Sequence, residues 1–227
     1  MREIIFDTET TGLDPSKGDR MVELGCIEMV NRVATGRTFH AYYNPDRDMP
    51  AEAERVHGLS AAFLADKPRF DESVEELLEF LAGSPLVAHN ASFDFGFLNA
   101  ELKICGHGSI SDARMVDTLA IAKRRHPGAK LSLDALCTRY GIDRSHRTRH
   151  GALLDAELLA QVYVELTGGR QIGLELAAGE GENFVETRTA PVRKRTFRTP
   201  RPHAASAEEL LRHREFLETI EAPLWSR

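Results

Sequence analysis

The sequence is poor in cysteine and lacks a long apolar run. Its three cysteines, Cys26, Cys105 and Cys137, stand too far apart for a CxxC zinc or redox motif, which predicts buried free thiols in a reducing compartment. No stretch is long and apolar enough to predict a membrane-spanning helix. The segment from Met1 to Asp7 leaves no space for the charged and apolar regions of a secretory signal. These absences argue against a disulfide-stapled secreted domain, and they predict a cytoplasmic location.

The size and the charge of the chain bound its organisation. With 227 residues, of which 42% are hydrophobic, the chain is long enough for one to one and a half globular domains. The formal net charge is −6, but residues 187–227 carry nine Lys or Arg against five Glu, which leaves 20 basic and 30 acidic residues before them. An acidic body repels nucleic-acid phosphates. If the substrate is a nucleic acid, either bound cations or a partner that delivers the strand is therefore required.

The C-terminal part differs from the rest of the chain in composition. Residues 187–203 contain six basic residues, three prolines and no acid, which predicts a linker. Ser206 to Glu209 form a capping-box pattern that opens an amphipathic helix, and Leu224 and Trp225 follow it. This end either packs back onto the body or docks on a partner, and the tryptophan favours docking. We therefore divide the chain into a body at 1–170, a linker at 171–205 and a docking segment at 206–227.

Hydrophobic periodicity predicts the elements of the body. Three neighbouring strands, expected to be antiparallel, are predicted at 3–8, 21–30 and 38–43, and a short buried strand is predicted at 85–88. Amphipathic helices are predicted at 74–81, 93–105, 119–125, 133–140 and 151–166. Strands first, followed by helices alternating with short strands, predict an α/β fold with a mixed sheet covered by helices on both faces.

Two carboxylates are predicted to stand side by side on the first strand. Asp7 and Glu9 are two residues apart, so they point to the same side of the sheet as Ile5. At close range they repel by roughly 2–3 kcal/mol at an effective dielectric constant of about 20. They are either harmless acids at an exposed strand end, or something positive lies between them.

Two further acids interrupt the apolar stripes of predicted helices. Asp94 precedes Phe97 and Leu98 by three and four residues, and Asp155 stands in the same relation to Leu158 and Leu159. A buried carboxylate needs a partner. A buried Arg or Lys would serve, but no basic residue is evidently positioned among the four acids, so we expect divalent cations.

The expected cations are two Mg²⁺ or Mn²⁺ ions rather than zinc, because all the ligands are oxygens. Two metals held by four acids suit in-line displacement at phosphorus. On this reasoning, the loss of Asp7 or Asp155 should leave the fold intact or make it more stable, because each substitution removes a like charge.

A general base is predicted just before the last helix of the body. His150 precedes Asp155 by five residues, which on one regular helix would place the two about 140° apart. His150 is therefore expected on the loop that leads into the helix. A neutral histidine has a suitable pKa for accepting a proton from water at neutral pH. The nearby His146 is expected at the surface.

The ordered set Asp7, Glu9, Asp94, His150 and Asp155 resembles the signature of the DEDDh 3′–5′ exonucleases, which have a ribonuclease H-like fold. The flanking stretches resemble those of the proofreading exonucleases of bacterial replicative DNA polymerases; they are FDTETTGL at 6–13, VAHNASFDFGF at 87–97, LSLDALCTRYG at 131–141 and HGALLDAELLAQVYVELTGG at 150–169. The resemblance covers residues 1–170. It implies a mixed sheet with helices on both faces and a flexible C-terminal tail. The implied activity is removal of misincorporated nucleotides from a primer 3′-end by two-metal-ion hydrolysis.

The resemblance also implies roles for individual residues. Asp7, Glu9 and Asp155 would hold the two cations, Asp94 would complete the second site largely through water, and His150 would be the base. The residues implied to contact the substrate, besides Asp7, Glu9 and Asp155, are Thr10, Thr11, Gly12, Leu13, Glu52, His57, Asn90 and Phe93. Three of these assignments have simpler alternatives: an ordinary turn at 10–12, a helix cap for His57 and core packing for Phe93.

The tail resembles partner-binding segments of the same family. Gln171, Leu174 and Leu176 match a peptide pattern that replication proteins insert into the sliding clamp. Leu224 and Trp225 resemble the segment that docks on the alpha subunit of DNA polymerase III. The implied location is the bacterial cytoplasm, in the nucleoid-associated replisome.

Two other functions share these motifs. A free-standing DEDDh nuclease that acts on the 3′-ends of RNA or oligonucleotides would have the same five residues, but it would not need a basic linker and a docking segment. A non-catalytic replisome subunit would keep the fold without the chemistry. All five signature residues are present, which argues against that second alternative.

Overall fold

The computed structural model of the protein describes residues 1–145, 147, 149–169 and 204–220. Contacts divide the chain into two units, Met1–Leu176 and Ala177–Arg227. The strands described in the first unit are β1 (Arg2–Thr10), β2 (Met21–Val30), β3 (Val33–Tyr42), β4 (Leu86–Ala88) and β5 (Met115–Asp117). Its described helices are α1 (Ala51–His57), α2 (Ala61–Leu64), α3 (Val74–Leu81), α4 (Ser92–Ile104), α5 (Thr118–Arg125), α6 (Leu133–Tyr140) and α7 (Ala152–Leu166).

The five strands form one mixed sheet in the order β3-β2-β1-β4-β5. β1, β2 and β3 are antiparallel neighbours, whereas β4 runs parallel to both β1 and β5. The prediction of three antiparallel strands is therefore confirmed. Hydrophobic periodicity does not predict α1, α2 and the three-residue strand β5, because elements this short carry little periodic signal.

Alternate residues of β1 face the two sides of the sheet. Ile4 and Phe6 belong to one apolar core together with residues of α3 and α4. Ile5 points the other way and packs with Ala156, Leu159 and other residues of α7. This alternation follows from the two-residue period of a strand. Helices thus cover both faces of the sheet, as predicted.

α7 is buried on several sides. One side packs on the sheet through Ala156, Leu159 and Tyr163, and another packs on α5 and α6 through Leu158 and Val162. Complete burial of each leucine or valine contributes about 1.5–3 kcal/mol to the free energy of folding. Because α7 is packed between the sheet and two helices, the position of its first turn is tightly constrained.

The described part of the second unit is one helix, α8 (Ala207–Glu218). Ser206 and Glu209 form the predicted capping box, in which the Ser206 hydroxyl accepts from the Glu209 amide. Leu210, Leu211 and Phe216 are exposed on this helix. No helix in the described portions of the chain has the length and apolar character needed to cross a membrane.

Candidate active site

The end of β1 presents two carboxylates toward α7. Asp7 and Glu9 alternate with buried residues and share the face of Ile5, as their spacing predicted. Glu9 is only 8% exposed, and Asp7 is half-buried. The pair therefore lies within the fold and not at an exposed strand end.

The third carboxylate, Asp155, comes from the first turn of α7 and is 3% exposed. Its position depends on a close approach between α7 and β2. A Cβ atom at Gly25 of β2 would lie 2.3 Å from the Leu153 backbone nitrogen. Only glycine leaves room for the helix at this distance. Gly25 thus allows the start of α7 to approach the sheet that carries Glu9.

The fourth carboxylate, Asp94, lies in the first turn of α4 and is 3% exposed. The Thr8 hydroxyl donates to its Oδ1 over 2.8 Å. Thr8 alternates with Asp7 and Glu9 along β1, so its side chain leaves the strand on the opposite side. The hydrogen bond ties Asp94 to the same strand that carries the other two acids.

Burial raises the pKa of three of these acids, and repulsion among the acids adds to the effect for Asp7 and Glu9. Burial, followed by the negative charges of Asp94 and Glu9, raises the pKa of Asp7 well above its usual value. Burial, with the charges of Asp155 and Glu23, raises the pKa of Glu9 to about 8. Burial also raises the pKa of Asp94 to about 7, although the hydrogen bond from Thr8 opposes this shift. The site therefore carries more negative charge than its surroundings stabilise, and it favours protons or cations.

Arg147 contradicts the expectation that no basic residue lies among the acids. Its Nε donates to Asp155 Oδ1, and its Nη2 donates to Asp155 Oδ2 over 2.7 Å. Its Nη1 reaches Asp134 Oδ1 at 3.0 Å. The arginine lies eight residues before Asp155, outside any helix, so helical spacing could not associate the two. The simpler alternative, a buried arginine partner, thus holds for Asp155.

His150 lies on the loop directly before α7, as predicted. Its side chain is 47% exposed, and its Nδ1 lies 3.2 Å from Asp155 Oδ2 and 2.7 Å from Arg147 Nη2. The backbone amide of His150 donates to the Val56 carbonyl over 3.4 Å, which joins this loop to α1. The imidazole is thus accessible and lies beside the acids.

The donor set fits a divalent cation. Glu9, His150 and Asp155 each offer one ligand atom, and these three atoms lie within 4.8 Å of one another. Within the described residues, Asp7 and Asp94 are not part of that tight group. Carboxylate oxygens suit Mg²⁺ or Mn²⁺, and the surplus negative charge favours such an ion.

The segment after β1 forms a turn in which most of the polar groups are already paired. The Thr10 hydroxyl donates to the Gly12 carbonyl over 2.6 Å, and the Thr11 hydroxyl accepts from the Arg20 amide. Leu13 is 83% exposed. The two threonines hold the turn, and Leu13 is the residue that projects into solvent.

The other predicted substrate residues lie in different environments. His57 ends α1 and is 5% exposed; its Nδ1 accepts from the Leu59 amide, whereas its Nε2 is buried with no hydrogen-bond partner among the described atoms. Burial lowers the pKa of His57. Glu52 is exposed in the first turn of α1. Asn90 has φ +65° and donates its amide to Asp117, and Phe93 packs on Phe97.

Sequence reasoning missed Glu23, which stands opposite Glu9 on β2. It is 3% exposed, and its Oε1 lies 2.8 Å from His40 Nε2. Its charge contributes to the raised pKa of Glu9. A charged residue in the otherwise apolar run from Met21 to Cys26 was an available signal.

The predicted partner-binding residues Gln171, Leu174, Leu176, Leu224 and Trp225 lie outside the described residues. The same holds for His146.

The mixed sheet, the four acids from β1, α4 and α7, and the histidine before α7 define the class of DEDDh-type exonucleases. A family model described as an exonuclease matches residues 4–163. DNA polymerase III subunit epsilon of Rickettsia felis is 50% identical over 226 residues, which cover 97% of this chain and 97% of that one. The same subunit of Escherichia coli is 41% identical over 229 residues, covering 97% and 93%. The chain therefore belongs to the exonuclease family and, within it, to the DNA polymerase III epsilon subunits.

Solved structures agree with the fold. Exonuclease X in complex with 5′ overhanging duplex DNA matches with a TM-score of 0.55 and 26% identity, over 73% of this chain and 90% of that one. The nuclease domain of 3′hExo, a DEDDh family member bound to rAMP, matches with a TM-score of 0.64 and 16% identity, over 73% and 91%. The second likeness bears on the fold alone, and it agrees with the predicted ribonuclease H-like architecture.

Proposed function

We propose that the protein is the 3′–5′ proofreading exonuclease of a bacterial replicative DNA polymerase. It hydrolyses the last phosphodiester of a frayed primer 3′-end and releases the misincorporated nucleotide. The observation that carries this proposal is the group formed by Glu9, Asp155 and the accessible His150, together with the charges of Asp94 and Glu9 that raise the pKa of the neighbouring Asp7. The similarity over nearly the whole length to epsilon subunits supports the polymerase context.

The acids hold two divalent cations, Mg²⁺ or Mn²⁺, in this proposal. Asp7, Glu9 and Asp155 are the ligands, and Asp94 completes the second site largely through water. When bound, the cations neutralise the negative charge that develops on the phosphate oxygens during hydrolysis. They also offset the repulsion that, together with burial, raises the pKa of Glu9 to about 8.

His150 accepts the proton of the attacking water. Its side chain is 47% exposed and directly precedes the helix that carries Asp155, so solvent reaches it beside the acids. Replacing His150 by alanine should reduce the hydrolysis rate by about 10²- to 10⁴-fold. The control is His107→Ala. His107 follows the C-terminal end of α4, whereas Asp94 lies in the first turn of that helix. Loss of Mn²⁺ binding in His150→Ala would instead make this residue a metal ligand.

The strand end is held by the turn after β1 and by α1. Thr10, Thr11, Gly12 and Leu13 meet the terminal nucleotide, and the exposed Leu13 is the one that can contact a base. A second group completes the cleft: Glu52, His57, Asn90 and Phe93.

The tail recruits the enzyme to the polymerase. The exposed apolar residues of α8 support a docking role for residues 206–227, with Leu224 and Trp225 contacting the alpha subunit. Gln171, Leu174 and Leu176 bind the sliding clamp. A body of net charge −10 binds a free DNA strand weakly, because it repels the phosphates. Recruitment by the polymerase compensates for this by raising the local concentration of the primer 3′-end. The protein accordingly acts in the bacterial cytoplasm, within the replisome.

The test is Mg²⁺-dependent nucleotide release from labelled single-stranded DNA. The full-length protein and residues 1–186 are each assayed alone and with the polymerase alpha subunit. We expect both forms to cleave DNA and only the full-length protein to be stimulated by the polymerase. If neither form responds to the polymerase and RNA is cut equally well, the protein is a free-standing nuclease. If Mg²⁺ elicits no cleavage at all, it is a non-catalytic subunit.

A further inference from the structure

We propose that Arg147 competes with divalent cations for Asp155, and that Asp134 is the alternative anchor to which the guanidinium moves when a cation binds. The inference rests on the proposed function only in taking Asp155 as a cation ligand. It assigns Arg147 the role of an internal counter-ion, which holds the acidic site together and sets how tightly the site binds metal.

The competition follows from the contacts of the guanidinium. Arg147 engages both oxygens of Asp155, one through Nε and one through Nη2. Asp155 is 3% exposed and the Arg147 side chain is 9% exposed, so the pair is shielded from water. A cation that binds Asp155 therefore competes with these donors for the same two carboxylate oxygens. Paired N–H donors on one carboxylate form a strong ion pair, so the displacement has a measurable cost.

The same guanidinium also holds His150, the proposed general base. Arg147 Nη2 lies 2.7 Å from His150 Nδ1. Of the three residues whose ligand atoms lie within 4.8 Å of one another, Arg147 therefore contacts two, His150 and Asp155. One movement of this side chain frees both of them.

Asp134 provides a place for the displaced charge. It lies in the first turn of α6, is 44% exposed, and already accepts from Arg147 Nη1 over 3.0 Å. Arg144 Nη1 reaches the same Asp134 oxygen at 2.8 Å. These three residues line a surface cavity of about 470 Å³. The Arg147 guanidinium can thus rotate away from Asp155 while it keeps one carboxylate partner.

The experiment measures Mn²⁺ binding to the full-length protein without DNA, by isothermal titration calorimetry. Arg147→Gln removes the competing cation, and we expect the dissociation constant for Mn²⁺ to fall about tenfold. Arg144→Gln is the matched control, because it removes an equal charge from Asp134 without touching Asp155. We expect it to change Mn²⁺ affinity less than about twofold. Asp134→Asn removes the alternative anchor and should weaken Mn²⁺ binding.

The second measurement is the melting temperature of each protein in EDTA and then with Mn²⁺. In EDTA, Arg147→Gln should melt below the wild type, because Asp155 loses its partner, and Mn²⁺ should raise its melting temperature by more than it raises that of the wild type. If Arg147→Gln does not fold in EDTA, Arg147→Lys is measured instead. Lysine lacks the planar fork of arginine and pairs less strongly with Asp155, so the Arg147→Lys protein should bind Mn²⁺ more tightly than the wild type does.

Equal or weaker Mn²⁺ binding by the Arg147 variants would overturn the inference. So would an equal gain in Arg144→Gln, because the effect would then be one of general charge. Asp155→Asn separates this failure from a failure of the proposed function. If Asp155→Asn binds Mn²⁺ as well as the wild type does, Asp155 is not a ligand and the metal assignment itself is wrong.

Discussion

Raising the pH should destabilise the metal-free protein, and Glu9 supplies much of the effect. The pKa of its carboxyl rises from 4.5 to about 8 in the folded protein. The folded state therefore binds this proton more tightly than the unfolded chain does. The contribution to stability is complete below about pH 4.5 and is lost as the pH rises through 8. This direction is opposite to that of an ion-paired surface carboxylate.

The magnitude follows from the difference between the two pKa values. At 1.36 kcal/mol for each pKa unit, the rise from 4.5 to about 8 corresponds to about 5 kcal/mol of unfolding free energy as an upper limit. The whole stability of a domain is typically about 5–15 kcal/mol. The effect of Glu9 alone should thus be visible in an ordinary unfolding experiment.

The assay is urea unfolding in EDTA at several pH values between 5 and 8. We expect the wild-type unfolding free energy to fall across this range. Glu9→Gln should show a much smaller slope, because glutamine does not titrate and its neutral side chain relieves the neighbouring acids. Glu157→Gln, at an exposed position of α7, is the control and should keep the wild-type slope. Mg²⁺ should reduce the wild-type slope, because it stabilises the ionised carboxylates.

Two results would refute this reasoning. A wild-type stability that stays constant or rises from pH 5 to pH 8 would show that the acids are not destabilised by burial and repulsion. A Glu9→Gln variant with the full wild-type slope would show that the titrating group is another residue.

Four further substitutions test the packing and the charge balance around the site. Gly25→Ala should cost about 1–3 kcal/mol of stability and reduce nuclease activity, because the new methyl group would displace the start of α7; normal activity and unfolding would contradict this. Tyr163→Phe removes the 2.7 Å hydrogen bond to the buried Glu3, so it should lower the free energy of unfolding in urea by about 1–3 kcal/mol. Nuclease activity should remain, because Tyr163 lies two turns of α7 away from Asp155. In EDTA, Asp7→Asn should raise the melting temperature, as the sequence alone suggests, whereas Asp155→Asn should lower it because Arg147 loses its partner; equal shifts would argue against the ion pair.

Much of the fold was predictable because its longer elements have clear periods. The limits of β2 and α6 agree with the predicted 21–30 and 133–140, and α7 begins one residue later than predicted. β3 begins at Val33, five residues before the predicted start, since its exposed first half lacks the alternation of a half-buried strand. The short elements α1, α2 and β5 were missed for a similar reason.

The sequence by itself determined that Asp7 and Glu9 share one face of a strand and that Asp94 and Asp155 are buried. Asp7 and Glu9 share a face because strand side chains alternate, and Asp94 and Asp155 are buried because they interrupt apolar helical stripes. These are local properties, set by periods of two and 3.6 residues. They predict four acids directed at one site, and they place the histidine just before α7, where the structure has it.

Only the tertiary structure decided what surrounds those acids. Arg147 reaches Asp155 from an irregular segment, Glu23 approaches Glu9 across a strand pair, and Gly25 sets how closely α7 lies to the sheet. None of these contacts has a period along the chain, because each joins residues of different elements through packing. Charge balance in a buried site depends on such distances, so the composition of the site could be predicted from the sequence, but its electrostatic state could not.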